Sequence, residues 1–133
     1  MAEFPDCPGC QTFASAGEDI LTAAREALEG WLEVHLEEGD LPPVPSVRVH
    51  VPKGGRKALI RIDALLAVRL QLRWERQRRG YSQAQLGKLL NVSRQQVALL
   101  EAPDGNPTLK TLAKAAAALG LELEVALVPP RAA

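Results

Sequence analysis

The sequence predicts an α+β protein in two parts: a small mixed α/β region over residues 1–52, and a helical region over residues 63–128 that closes on a strand. Three observations predict it. Pro42-Pro-Val-Pro45 crowds prolines where no helix continues, so a boundary lies there. Charge segregates about that boundary: residues 1–45 hold ten acids and one base, and residues 46–133 hold fifteen bases and six acids, within a neutral chain of 133 residues. Helical periodicity dominates beyond the boundary, while short alternating stretches flank it.

Composition narrows the classes. An apolar content of 47% and a charged content of 24% are ordinary for a globular chain and argue against disorder. No long apolar run and no charged-then-apolar leader is readable, so neither a membrane span nor a secretory signal is expected, and the expected address is the cytosol. A basic half suits a polyanion and an acidic half a cationic partner.

Taken in order, Cys7-Pro-Gly-Cys10 has the spacing of redox and zinc motifs. A structural zinc site needs four ligands and only two distant histidines, His35 and His50, remain, so a turn with two reduced thiols is expected and no metal or cofactor. Ser15-Ala-Gly-Glu18 has capping-box spacing, and Ile20, Ala24, Ala27, Leu28, Trp31 and Val34 or His35 follow at helical steps until Gly39. The polar side of that helix carries Glu26, Glu29, Glu33 and Glu37, like charges that a cationic protein would match. Val47-Arg-Val-His-Val51 alternates as a short strand, Lys53-Gly-Gly-Arg-Lys57 is a basic turn, and Ala58–Ile62 reads as either strand or helix approach.

Asp63 is an expected N-cap for a long helix that runs to Gly80. Its Arg69, Arg73, Arg76, Arg78 and Arg79 exceed what a helix dipole needs and read as a phosphate surface. Ser82 with Gln85 and Ser93 with Gln96 each form a Ser-x-x-Gln capping box, so two short helices start close together. Asn91 suits the left-handed turn between them, Gly87 the close crossing, and Leu86, Leu89, Leu90, Val92, Val97 and Leu100 the shared core. This is helix-turn-helix spacing. A loop over Ala102–Pro107 leads to Thr108, which caps a helix with Leu109, Leu112, Ala113, Ala116 and Leu119 on one face and Gly120 at its end. Leu121–Val128 alternates as a strand, whose mate is Val47–Val51 or the same strand of a second chain.

Tyr81–Glu101 resembles the Cro/repressor-like (XRE-type) helix-turn-helix family. The resemblance implies that Arg94, Gln95 and Gln96 enter the major groove, with Ser93 at the cap and Gln83 near a phosphate. Arg pairs bidentately with guanine and Gln with adenine. Arg76, Arg78 and Arg79 complete the expected DNA-binding set. A homodimer or higher homo-oligomer is expected, because such motifs read two half-sites.

The remainder also resembles a family. Phe4-Pro-Asp-Cys-Pro-Gly-Cys10, the helix with Ala23-Ala-Arg-Glu-Ala-Leu-Glu-Gly-Trp-Leu32, Pro42-Pro-Val-Pro-Ser46 and the closing Asp104–Leu112 and Ala118–Val125 patterns are similar to HicB-family antitoxins. That resemblance implies a partial RNase H-like domain before the DNA-binding domain, neutralisation of a small HicA-like mRNA-cleaving toxin, and repression of the protein's own operon by binding operator DNA. The toxin-facing surface would include Glu26, Glu29, Glu33 and Glu37. Only Met1-Ala-Glu3 precedes Phe4, so the first strand of that domain is expected to be missing. Two alternatives stand beside this reading. A stand-alone dimeric regulator with a degenerate N-terminal domain lacks the toxin partner, and a nuclease is disfavoured because the acids decorate one helix face instead of converging on a metal.

Overall fold

Asp19 starts the first helix: its carboxylate accepts the backbone N–H groups of Leu21 and Thr22 at 3.1 and 3.2 Å, and α1 runs over Ile20–Glu37. The expected capping box at Ser15–Glu18 lies outside the residues that this computed structural model describes, which are 1–13, 19–46 and 49–130. The helix closes when Gly39 and Asp40 donate their N–H groups to the Leu36 and His35 carbonyls. Ala24, Leu32 and Leu36 form its buried stripe. Upstream, β1 (Ala2–Glu3) pairs antiparallel with β2 (Gln11–Thr12), Ala2 opposite Thr12. The stretch before Phe4 thus does form a strand, although a very short one. Asp6 accepts both the backbone N–H and the hydroxyl of Ser46, fixing the chain after the proline cluster.

The chain divides between Ala64 and Leu65 into two compact units. The second contains most of α2 (Ala64–Arg78), then α3 (Gln83–Leu90), α4 (Arg94–Glu101) and α5 (Leu109–Ala118). Its core is Leu72, Leu86, Val97, Leu100, Leu112, Ala115 and Leu119, with Val68, Tyr81, Leu90 and Leu123 packed against it. Burying aliphatic side chains of this size stabilises by about 1.5–3 kcal/mol each relative to exposure, which makes this cluster the main support of the unit. Gly87 sits where α3 meets the turn into α4. A Cβ there would come within 2.8 Å of the Val92 carbonyl oxygen, so any larger residue pushes the two helices apart.

Several expectations give way. Leu89 and Val92 are exposed, because the buried face of α3 is centred on Leu86, Gly87 and Leu90, and Leu89 is rotated off it. On α5 the buried face is Leu112, Ala115, Ala116 and then Leu119, leaving Leu109 and Ala113 outside. No strand forms at 121–128 or at 49–51; Val47 and Arg48 lie outside the described residues. A strand needs an edge to bond to, and within the second unit the described residues form no sheet. Leu121, Val125 and Leu127 are accordingly exposed, and only Leu123 leans on the core. The protein is mostly helical, with β1–β2 as the sheet among the described residues.

One polar contact lies deep in the second unit. Arg76 and Glu101 are both buried, with Arg76 Nε 2.6 Å from Glu101 Oε1 and 3.1 Å from Oε2. Arg76 Nη1 also donates to the Tyr81 carbonyl at 2.9 Å. Removing one partner strands a charge in the interior. Glu101→Ala is expected to cost about 3–5 kcal/mol in urea unfolding followed by circular dichroism, while Arg76→Met with Glu101→Leu together recovers most of that loss.

Candidate nucleic-acid interface

The start of each motif helix is fixed by its own residues. At α3, Ser82 Oγ accepts the Gln85 backbone N–H at 3.1 Å and Gln85 Oε1 accepts the Ser82 N–H at 2.8 Å. At α4, Ser93 Oγ accepts from Gln96 at 3.1 Å and Gln96 Oε1 accepts from Ser93 at 2.9 Å. Between them Asn91 takes the left-handed conformation at φ 55°, and Val92 donates its N–H to the Gly87 carbonyl. Both boxes bond reciprocally, so the two helix starts are well determined. The exposed first turn of α4 presents Arg94, Gln95 and Gln96.

These three side chains are not equivalent. Arg94 and Gln95 make no side-chain hydrogen bond or ion pair among the described residues and are exposed. Gln96 already uses its carbonyl oxygen on the cap, and Ser93 uses its hydroxyl there. Gln83 is half-buried in the first position of α3, where the unpaired N–H groups of a helix start favour an anion.

The arginines of α2 behave differently from a single phosphate-facing array. Arg76 lies inside the unit against Glu101, because this late-helix position faces α4. Arg69 is buried too, its guanidinium donating to the Pro103 carbonyl. Arg78 and Arg79 both bind Glu75, at 2.5 and 2.9 Å. The Arg78 side chain remains 68% exposed and Arg79 34%. Lys88, Lys110 and Lys114 are further exposed cations of this unit that motif reading passed over. Isolated lysines carry no spacing signal; the readable hint was that Lys110 follows the cap Thr108.

In the first unit, Glu26, Glu33 and Glu37 are exposed, whereas Glu29 is engaged. Its Oε1 accepts from Arg25 Nε at 2.8 Å and from the backbone N–H of Asp63 at 2.7 Å. No group of three or more His, Cys, Asp or Glu is placed to hold a metal ion among the described residues. No helix there is long and apolar enough to cross a membrane.

With that geometry in place, residues 72–125 match the family model described as Helix-turn-helix. The match begins inside α2 and spans α3, α4 and α5, so the second unit carries an XRE-type helix-turn-helix DNA-binding domain of the kind found in transcription regulators. No curated protein matches the chain.

The Glu75 cluster gives a pH signature. Hydrogen bonds from Arg78 and then Arg79 hold the Glu75 carboxyl down at about 2, against an ordinary value of 4.5. A depressed carboxyl stabilises the fold fully above its unfolded value and loses that contribution as pH falls from about 4.5 toward about 2. Glu75→Gln is therefore expected to flatten the acid limb of a stability-against-pH curve in that window, with little change in its shape near neutrality.

Proposed function

We propose that this chain is the antitoxin of a type II toxin–antitoxin pair, which binds a small HicA-like mRNA-cleaving toxin through its first unit and represses its own operon through its second. The observation that carries the DNA half is the exposed start of α4, where Arg94 and Gln95 stand uncommitted beside a helix start locked by its capping box. Arg94 reads guanine and Gln95 reads adenine in the major groove, and Gln96 contributes through its remaining amide donors. Gln83 and the start of α3, with Arg78, Arg79 and Lys88, supply phosphate contacts. Arg76 is withdrawn from that set, since its charge is spent on Glu101.

The exposed Leu121, Val125 and Leu127 support a two-fold assembly, in which these side chains of two chains cover one another and two recognition helices meet one operator. For the toxin half, support comes from the HicB-like sequence of residues 4–46 and from the acidic face of α1, where Glu26, Glu33 and Glu37 are open to a cationic RNA-binding protein. A second reading, a stand-alone dimeric regulator, is favoured by one fact: the family match begins at residue 72 and leaves the first unit outside.

Arg94→Ala is expected to weaken operator binding by about 1–3 kcal/mol and to relax preference at one base pair, whereas Arg78→Ala weakens all sequences alike and lowers the salt slope. Gel shifts on operator variants across salt concentrations read both; an Arg94→Ala protein with unaltered affinity and preference removes the recognition assignment. Co-expression with the neighbouring reading frame should recover a complex with a small basic ribonuclease. Glu33→Lys with Glu37→Lys is expected to break that complex and spare DNA binding. Recovery of operator binding with no such partner favours the stand-alone regulator.

A further inference from the structure

Residues 4–10 fold as two consecutive reverse turns that share Cys7. The Cys7 N–H donates to the Phe4 carbonyl and the Cys10 N–H to the Cys7 carbonyl, each at 2.9 Å. In the second turn Pro8 and Gly9 take the central places, and Gly9 at φ 81° has the left-handed backbone that a type II turn needs there. A reverse turn holds its first and fourth Cα atoms within about 7 Å, and a disulfide spans roughly 4.4–6.8 Å between Cα atoms. The ends of this turn are two free thiols, each only 7% exposed. Cys10 also lines an open cleft of about 330 Å³ with Gln11, Trp31 and His35. The Cys10 thiol donates to the Ala27 carbonyl of α1 at 3.7 Å, linking the turn after β1 to the helix.

We propose that Cys7 and Cys10 form a thiol–disulfide couple, whose oxidation by a low-molecular-weight disulfide unfastens the β1–β2 hairpin from α1. The thiolate of Cys10, the cysteine that lines the cleft, attacks one sulfur of the reagent, forms a mixed disulfide and expels one reagent thiolate. The Cys7 thiolate then attacks the Cys10 sulfur, expels the second reagent thiolate and closes the bond within the turn. The two cysteine protons pass to the two reagent thiols, so the protein loses two electrons and the reagent gains them. Once closed, Cys10 has no S–H to give to Ala27. Burial, with the charges of Cys10 and Asp6 beside it, pushes the Cys7 thiol up to about 11, and burial raises Cys10 as well. Thiolate is scarce near neutral pH, so exchange is slow and answers sustained oxidation instead of brief pulses.

The test incubates the full chain with glutathione disulfide, alkylates remaining thiols and measures intact mass. The expected product has lost two hydrogens, carries no alkyl group, runs as a single chain without reductant and reverts with dithiothreitol. Amide exchange at Gln11 and Thr12 is expected to quicken at least several-fold on oxidation, and Cys7→Ser is expected to stop at a glutathione adduct on Cys10. Stable adducts on the unaltered protein, cross-linked chains alone, or exchange at Gln11 and Thr12 that oxidation leaves unchanged would overturn the proposal.

Discussion

The helix that presents Arg94 and Gln95 has only eight residues, a length at which an isolated helix is unstable in water. Its position depends on how its two ends are held. The Ser93–Gln96 capping box fixes the first turn, and the buried pair between Arg76 and Glu101 fixes the last residue. Taking both charges out of water costs several kcal/mol per ion, so a pair of this kind gives orientation more readily than stability. Arg76 adds a third tether by donating to the Tyr81 carbonyl, which ties the entry to α3 into the same cluster. One guanidinium therefore sets the mutual placement of α2, the α2–α3 connection and α4.

That arrangement changes the meaning of the arginines on α2. Five of them within eleven residues read as a single electropositive strip. In the folded unit the five divide by depth: Arg69 and Arg76 go inward to a carbonyl and a carboxylate, Arg73 is half-buried, and Arg78 and Arg79 share Glu75 at the surface. The positive field at the surface of this unit thus comes from fewer charges than the sequence count implies, and part of it is held in place by an acid. A guanidinium so restrained loses less conformational freedom when it meets a phosphate than a free one would.

What was legible in the sequence was what is local. Both Ser-x-x-Gln boxes, the left-handed Asn91, the small Gly87 and the cap Thr108 were readable, because each acts on backbone within a few residues of itself. The ion pair was not, since Arg76 and Glu101 are 25 residues apart and neither neighbourhood marks the other. Leu89 was misplaced for a related reason: an apolar residue near the edge of a face is buried or exposed according to the tilt of a neighbouring helix, which spacing alone leaves open. Alternation at Leu121–Val128 was readable as strand-forming, but alternation says nothing about whether an edge is present to receive it. In the first unit, Asp19 takes the capping role, and the engagement of Glu29 by Arg25 and the Asp63 backbone depends on chain folding back from beyond the prolines.

The reciprocal cap at Ser93 and Gln96 bears on how much sequence one copy of this domain can distinguish. Gln96 turns its side-chain carbonyl back onto its own helix, and the Ser93 hydroxyl accepts there as well. With its carbonyl held there, the amide leads with its donors, which suit any base edge that offers an acceptor, and guanine, adenine and thymine all do. In the proposed recognition role, most of the discrimination at the tip of α4 falls to Arg94 and Gln95, enough for very few base pairs. On the proposed two-fold reading, so short a word is written twice, once for each copy of the domain.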